Sequence, residues 1–96
     1  MKIENIKLAL PFDKIKTKNL VSNETGDLIL INIEKGMELK EHSSPSDASI
    51  LILKGKVNFK IYGIDHFMKK GDLFNFEKNE VHAIEALKNS SILLIK

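Results

Sequence analysis

No window of this chain spaces its apolar residues at i, i+3, i+4 and i+7, the stripe that an amphipathic helix needs. Thirteen isoleucines and twelve leucines come instead in short runs, each closed by glycine, asparagine, lysine or aspartate. That texture belongs to strands and turns. Val57, Phe59 and Ile61 alternate with Asn58, Lys60 and Tyr62, the period-two pattern of a strand with one buried face. Leu28 to Ile33 and Ala48 to Leu53 are apolar almost throughout, so they need cover on both faces, or a wall whose outer side meets another chain. The expectation is an all-β, single-domain barrel or jelly roll of about nine to ten short strands, a closure that removes the exposed edges that aliphatic strands cannot afford.

Taken in order, Lys2 to Leu10 reads as an edge strand stopped by Pro11, Phe12 to Asn19 as a connection, and Leu20 to Asn23 as a short strand. Glu24-Thr25-Gly26-Asp27 is a turn. Leu28 to Ile33, Met37 to His42 and Ala48 to Leu53 follow as strands, with Ser43 to Asp47 as a loop. Lys54-Gly55-Lys56 reads as a tight hairpin, Gly63 to Asp65 as a turn before His66 to Met68, and Lys70-Gly71-Asp72 as a corner. Leu73 to Phe76, His82 to Leu87 and Ser91 to Ile95 complete the strands. Ninety-six residues suit one domain, 1–96, with N-terminal strands and a connection over 1–26 and the barrel core over 27–96.

Composition narrows the function classes. All fifteen basic residues are lysine, evenly spread, and the net charge is only +2. Without arginine forks or a basic cluster, nucleic acid is not an expected partner. There is no cysteine, so no disulfide framework and no thiolate metal site. The polar stretch Met1 to Lys7 lacks the apolar centre of a signal peptide, and no run is long enough for a bilayer, so the expectation is a cytoplasmic protein with no membrane association. Phosphate-binding loops, dinucleotide fingerprints and nucleophile elbows are absent from the spacing of the five glycines.

Two stretches remain that carry chemistry. Gly36 to Gly55 contains His42, and Gly71 to His82 ends on the second histidine; each opens on a glycine. On these residues the chain resembles a small single-domain cupin. Gly36, His42 and Gly55 fall on fixed positions of the first cupin motif, and Gly71 and His82 on those of the second. The resemblance implies a cupin-type jelly-roll barrel with its pocket inside. In metal-binding cupins the first motif supplies two histidines and a glutamate, and the second one histidine. Here Ser44 and Ala48 stand at the second-histidine and glutamate positions, and in the second motif Glu77, Asn79 and Ala86 replace proline, glycine and asparagine. The metal motif is therefore degenerate.

What survives supports a small-molecule-binding reading. His42 and His82 are expected to approach each other across the interior at the polar end of an apolar pocket, with Ser44 and Asp47 beside them as ligand-binding residues. A divalent transition metal on His42 and His82 is the competing expectation; it needs a third ligand, for which Asp47 is the nearest candidate, reaching in from its loop. Binding without a metal is the preferred expectation, and the ligand's identity stays unknown. The alternative is a metal-dependent cupin enzyme of dioxygenase or isomerase type using His42, His82 and Asp47. His66 fits no motif position and is expected at the surface or a barrel end. Asp72 is expected to bond nearby backbone. Phe59, Phe74, Phe76 and Tyr62 are pocket or core candidates, core being the commoner fate. The apolar runs at Leu28 to Ile33 and Ile92 to Ile95 suggest a buried face between two copies, so a homodimer is expected.

Overall fold

The computed structural model of the chain describes residues 3, 5, 6, 10–42 and 46–96, the side chains of Glu41 and His42 excepted. Nine strands run through them: β1 (Ile15–Asn23), β2 (Gly26–Ile33), β3 (Glu38–His42), β4 (Ala48–Lys54), β5 (Lys56–Ile61), β6 (Ile64–Lys69), β7 (Leu73–Phe76), β8 (His82–Ala86) and β9 (Ser90–Ile95). They form a five-stranded sheet in the order β1-β2-β9-β4-β7 and a four-stranded sheet in the order β3-β8-β5-β6. Every pairing is antiparallel. From β2 onward the chain passes between the two sheets repeatedly, the winding of a jelly roll.

The core is the layer between the sheets. Ile31, Ile33, Ile50, Ile52 and Ile92 from one sheet meet Val57, Phe59, Ile61, Ile84 and Ala86 from the other, all buried. Alternation puts them there: each lies two residues from the next on its strand, so all share the inward face. Each large aliphatic or aromatic side chain so buried contributes about 1.5–3 kcal/mol relative to exposure. Phe59 is the centre of an aromatic group, with the rings of Phe74, Phe76 and His82 at 5.2, 5.7 and 5.5 Å between centroids. Tyr62 is exposed, at a turn.

Several expectations change. The N-terminal edge strand does not form at the described residues Ile3, Asn5, Ile6 and Leu10; Lys2, Glu4 and 7–9 lie outside the described residues. β1 pairs with β2 and takes in Ile15 to Asn19 as well as the short strand expected at Leu20 to Asn23. The Leu10 carbonyl instead accepts a hydrogen bond from Asn32 Nδ2 at 3.1 Å. Asn32 is a buried outward residue of β2, and its Oδ1 has no hydrogen-bond partner.

The expected hairpin at Lys54-Gly55-Lys56 is not one. β4 and β5 belong to different sheets, and Gly55 carries the chain from one to the other. Its φ is +92°, and a Cβ there would strike Ser90 Oγ and the Asn89 carbonyl. Glycine is required by both sterics and backbone conformation. A tight hairpin forms instead at β5–β6, closed by Tyr62 and Gly63 alone, both with positive φ (49° and 77°), the mark of a two-residue type I′ turn. The turn expected at Gly63 to Asp65 is thus one residue earlier and shorter.

On the outer face of the five-stranded sheet, Leu30, Leu93, Leu51 and Leu73 are successive cross-strand partners from β2 to β7. Burial falls along this row, from Leu30 fully covered to Leu73, 58% exposed.

Candidate functional site

Two adjacent strands bring the histidine-bearing stretches together. β3 ends at His42 and β8 begins at His82, and the β3–β8 ladder pairs these positions directly, after a register shift between Leu39 and His42. They are cross-strand neighbours in one sheet rather than residues facing across the interior. The His42 side chain and the whole of Ser44 fall outside the described residues.

His82 is 3% exposed and packs its ring against Phe76, 4.6 Å between centroids, and against Phe59. Its Nδ1 lies 2.9 Å from the Glu80 carbonyl oxygen. A carbonyl only accepts, so Nδ1 carries the proton, and in the neutral ring Nε2 is the acceptor nitrogen. A backbone carbonyl on Nδ1 is also the support that metal-bound histidines use.

The turn that supplies that carbonyl is held on three sides. Glu77 N–H donates to Glu80 Oε1 at 2.6 Å, Glu80 N–H donates to the Glu77 carbonyl at 3.3 Å, and Asn79 takes a left-handed φ of 67°. From outside, Asp47 Oδ1 accepts the Lys78 N–H at 2.9 Å. Asp47 is exposed and works on the β7–β8 turn. Its link to the site runs through Lys78 and Glu80 to His82. Together with Ser49, Asn75, Phe76 and Glu77 it borders an open groove of about 430 Å³, across which Ser49 Oγ donates to Asn75 Oδ1.

Ala48, at the position of the motif's glutamate, is buried and pairs with Phe76 across the β4–β7 ladder, so that inward position offers a methyl group and no ligand. Among the described residues, no three histidine, aspartate or glutamate side chains converge as an ion would require. The described donors therefore do not fit a resident metal ion held by three protein ligands. Asp72 behaves as expected, its Oδ2 accepting the Lys69 N–H at 2.9 Å.

His66 departs from expectation. It pairs with Phe59 in the β5–β6 ladder and so shares the inward face. Half-buried, its ring meets Phe74 of the opposite sheet at 5.4 Å in a T-shaped contact. Nδ1 lies 3.1 Å from the Phe59 carbonyl, and the His66 N–H donates to Asn58 Oδ1 at 3.2 Å. The signal for this was Tyr62-Gly63: a two-residue turn there forces 59 opposite 66.

Residues 25–95 match the family model described as a cupin domain. A conserved protein of unknown function from Streptococcus pyogenes superposes with a TM-score of 0.86 at 23% identity, covering 98% of this chain and 84% of that one. An RmlC-like cupin from Desulfovibrio desulfuricans gives 0.89 at 21% identity, over 99% of this chain and 94% of that one. A second RmlC-like cupin, from Shewanella frigidimarina, gives 0.84 at 15% identity, over 99% and 88%. Among curated proteins there is no match. No helix of the described residues is long and apolar enough to cross a membrane.

Proposed function

Because this chain belongs to the cupin family, we propose that it is a small-molecule-binding cupin whose ligand enters between the sheets and meets His82 and His42 at the polar end of an apolar pocket. The observation that carries this reading is the placement of His82: a polar imidazole, buried, held by the Glu80 carbonyl and packed against Phe76 and Phe59. A fixed polar group among aromatic side chains suits a ligand that pairs an apolar ring with a polar substituent. Position 42, opposite His82 in the ladder, supplies the second imidazole of the proposed site, and Ser44 its hydroxyl. Asp47 serves by pinning the turn behind His82.

Supporting this over a metal-dependent dioxygenase or isomerase is Ala48 in the glutamate position, together with an Asp47 oxygen already engaged by Lys78. The test is metal analysis of untagged protein combined with a thermal-shift screen of small organic compounds. Ligands that raise the melting temperature of metal-free protein, and lose that effect in His82→Ala, support the reading. A stoichiometric transition metal lost in both His42→Ala and His82→Ala overturns it in favour of the enzyme.

We also propose that the protein works in the cytoplasm as a homodimer. The leucine row is the proposed contact: Leu73, Leu51 and Leu93 continue outward from a position already fully covered at Leu30.

A further inference from the structure

Within the four-stranded sheet, the β5–β6 ladder loses its inward cover along its length. Along β5 the inward residues Val57, Phe59 and Ile61 are 0, 0 and 6% exposed. Their direct partners on β6, Met68, His66 and Ile64, pass from 7% through half-buried to 64% exposed. Partners in an antiparallel ladder share a face. The inward face of β6 is therefore increasingly open to solvent toward the Tyr62-Gly63 turn. Opposite stands Phe74 of β7, the edge strand of the other sheet and itself only partly buried. Phe74 and His66 meet edge to face at 5.4 Å, at the inner end of this opening.

His66 is fixed there in one state. Its main chain is held by Asn58 Oδ1, and Asn58 is itself buried and donates to Asp65 Oδ1 at 3.0 Å. The ring's Nδ1 faces the Phe59 carbonyl, so Nδ1 carries the proton and Nε2 is an acceptor in the neutral ring. No hydrogen bond from a described residue reaches that Nε2. An oriented imidazole acceptor thus lies beside an aromatic ring and two residues from an exposed isoleucine on the same face.

We infer that the β6–β7 seam is a binding site for a small neutral ring compound carrying a hydroxyl group, which packs on Phe74 and Ile64 and donates its hydroxyl hydrogen to His66 Nε2. This rests on the proposal that ligands enter the space between the sheets, and it adds a specificity-determining histidine that the cupin motifs do not include.

Phenol and its methyl ether, anisole, are the probes, since they differ in the donor alone. Each is titrated into protein with 15N-labelled histidine, and the imidazole nitrogens are followed by long-range 1H–15N correlation. The expected result is a saturable shift of His66 Nε2 with phenol and an affinity about tenfold weaker for anisole, the size of one lost hydrogen bond to a desolvated group. His66→Phe should reduce phenol to the level of anisole. Equal affinities for the two probes in the native protein, which needs no variant to fold, overturn the inference. So does unchanged phenol binding in His66→Phe. If phenol binding is lost in His82→Phe but kept in His66→Phe, the pocket at His82 stands and the seam fails; if neither substitution matters, both fail.

Discussion

The Nδ1 of His82 lies 2.9 Å from the carbonyl oxygen of Glu80, two residues earlier in the chain. That contact fixes which nitrogen carries the proton, and the same logic applies to His66 against Phe59. Both rings should therefore be in the Nδ1–H form when neutral, the less common one for free histidine. Nitrogen-15 chemical shifts report this directly. A protonated Nε2 on neutral His82 would contradict the contact between Nδ1 and the Glu80 carbonyl.

Asp47 holds the turn behind that histidine from a distance. Asp47→Ala removes the acceptor for the Lys78 N–H and should lower stability by about 1 kcal/mol, which for a domain of this size is a fall of about 4–8 °C in melting temperature. Asp47→Asn keeps an acceptor oxygen and should restore most of it. If instead Asp47 were an ion ligand, the asparagine variant would behave like alanine in metal binding while remaining fully stable.

Gly55→Ala should be among the most damaging substitutions of a small residue. The new methyl group meets Ser90 Oγ and the Asn89 carbonyl, and the backbone sits at φ +92°. A loss of about 2 kcal/mol or more is expected, read from urea unfolding. Gly36→Ala has open space at its Cβ and φ of +87°, so it should incur the backbone cost alone and lose less.

Phe59→Ala removes the ring around which Phe74, Phe76 and His82 gather. Large-to-small changes at such a site cost about 3–5 kcal/mol. The aromatic group links the two sheets, so loss of near-ultraviolet dichroism should accompany the loss of stability.

The outer leucine row gives a test of association. Leu73 is 58% exposed, so Leu73→Lys should barely alter folding of the single chain. In sedimentation it should shift a dimer to a monomer at micromolar concentration. A native protein that already sediments as a monomer removes the homodimer.

Much of the fold was legible because strand periodicity is a short-range property. Leu73 to Phe76 falls on β7, and the strands read at His82 to Leu87 and Ser91 to Ile95 each lie within a residue of β8 and β9. What failed were particular connections that depend on which strands pair, at Gly55 and at β1. A glycine between two apolar runs looks the same whether it closes a hairpin, as Gly63 does, or sends the chain to another sheet, as Gly55 does. The lysines at 14, 16 and 18 made β1 look like a connection, since an edge strand with two wet positions in three carries no apolar pattern. At the site, the glycine and histidine positions pointed to β3 and β8, but the one-residue error in the Tyr62-Gly63 turn hid the inward direction of His66.

β9 lies between β2 and β4, although it is the last strand of the nine. While the polypeptide is being made, β2 and β4 have no common neighbour, and the five-stranded sheet remains two unjoined halves. Its closure awaits residues Ser90–Ile95, so a nascent chain arrested before them holds its leucines and isoleucines without a finished wall. Chaperone contact should accordingly be strongest before Ser90–Ile95 emerge and fall once that strand slots in.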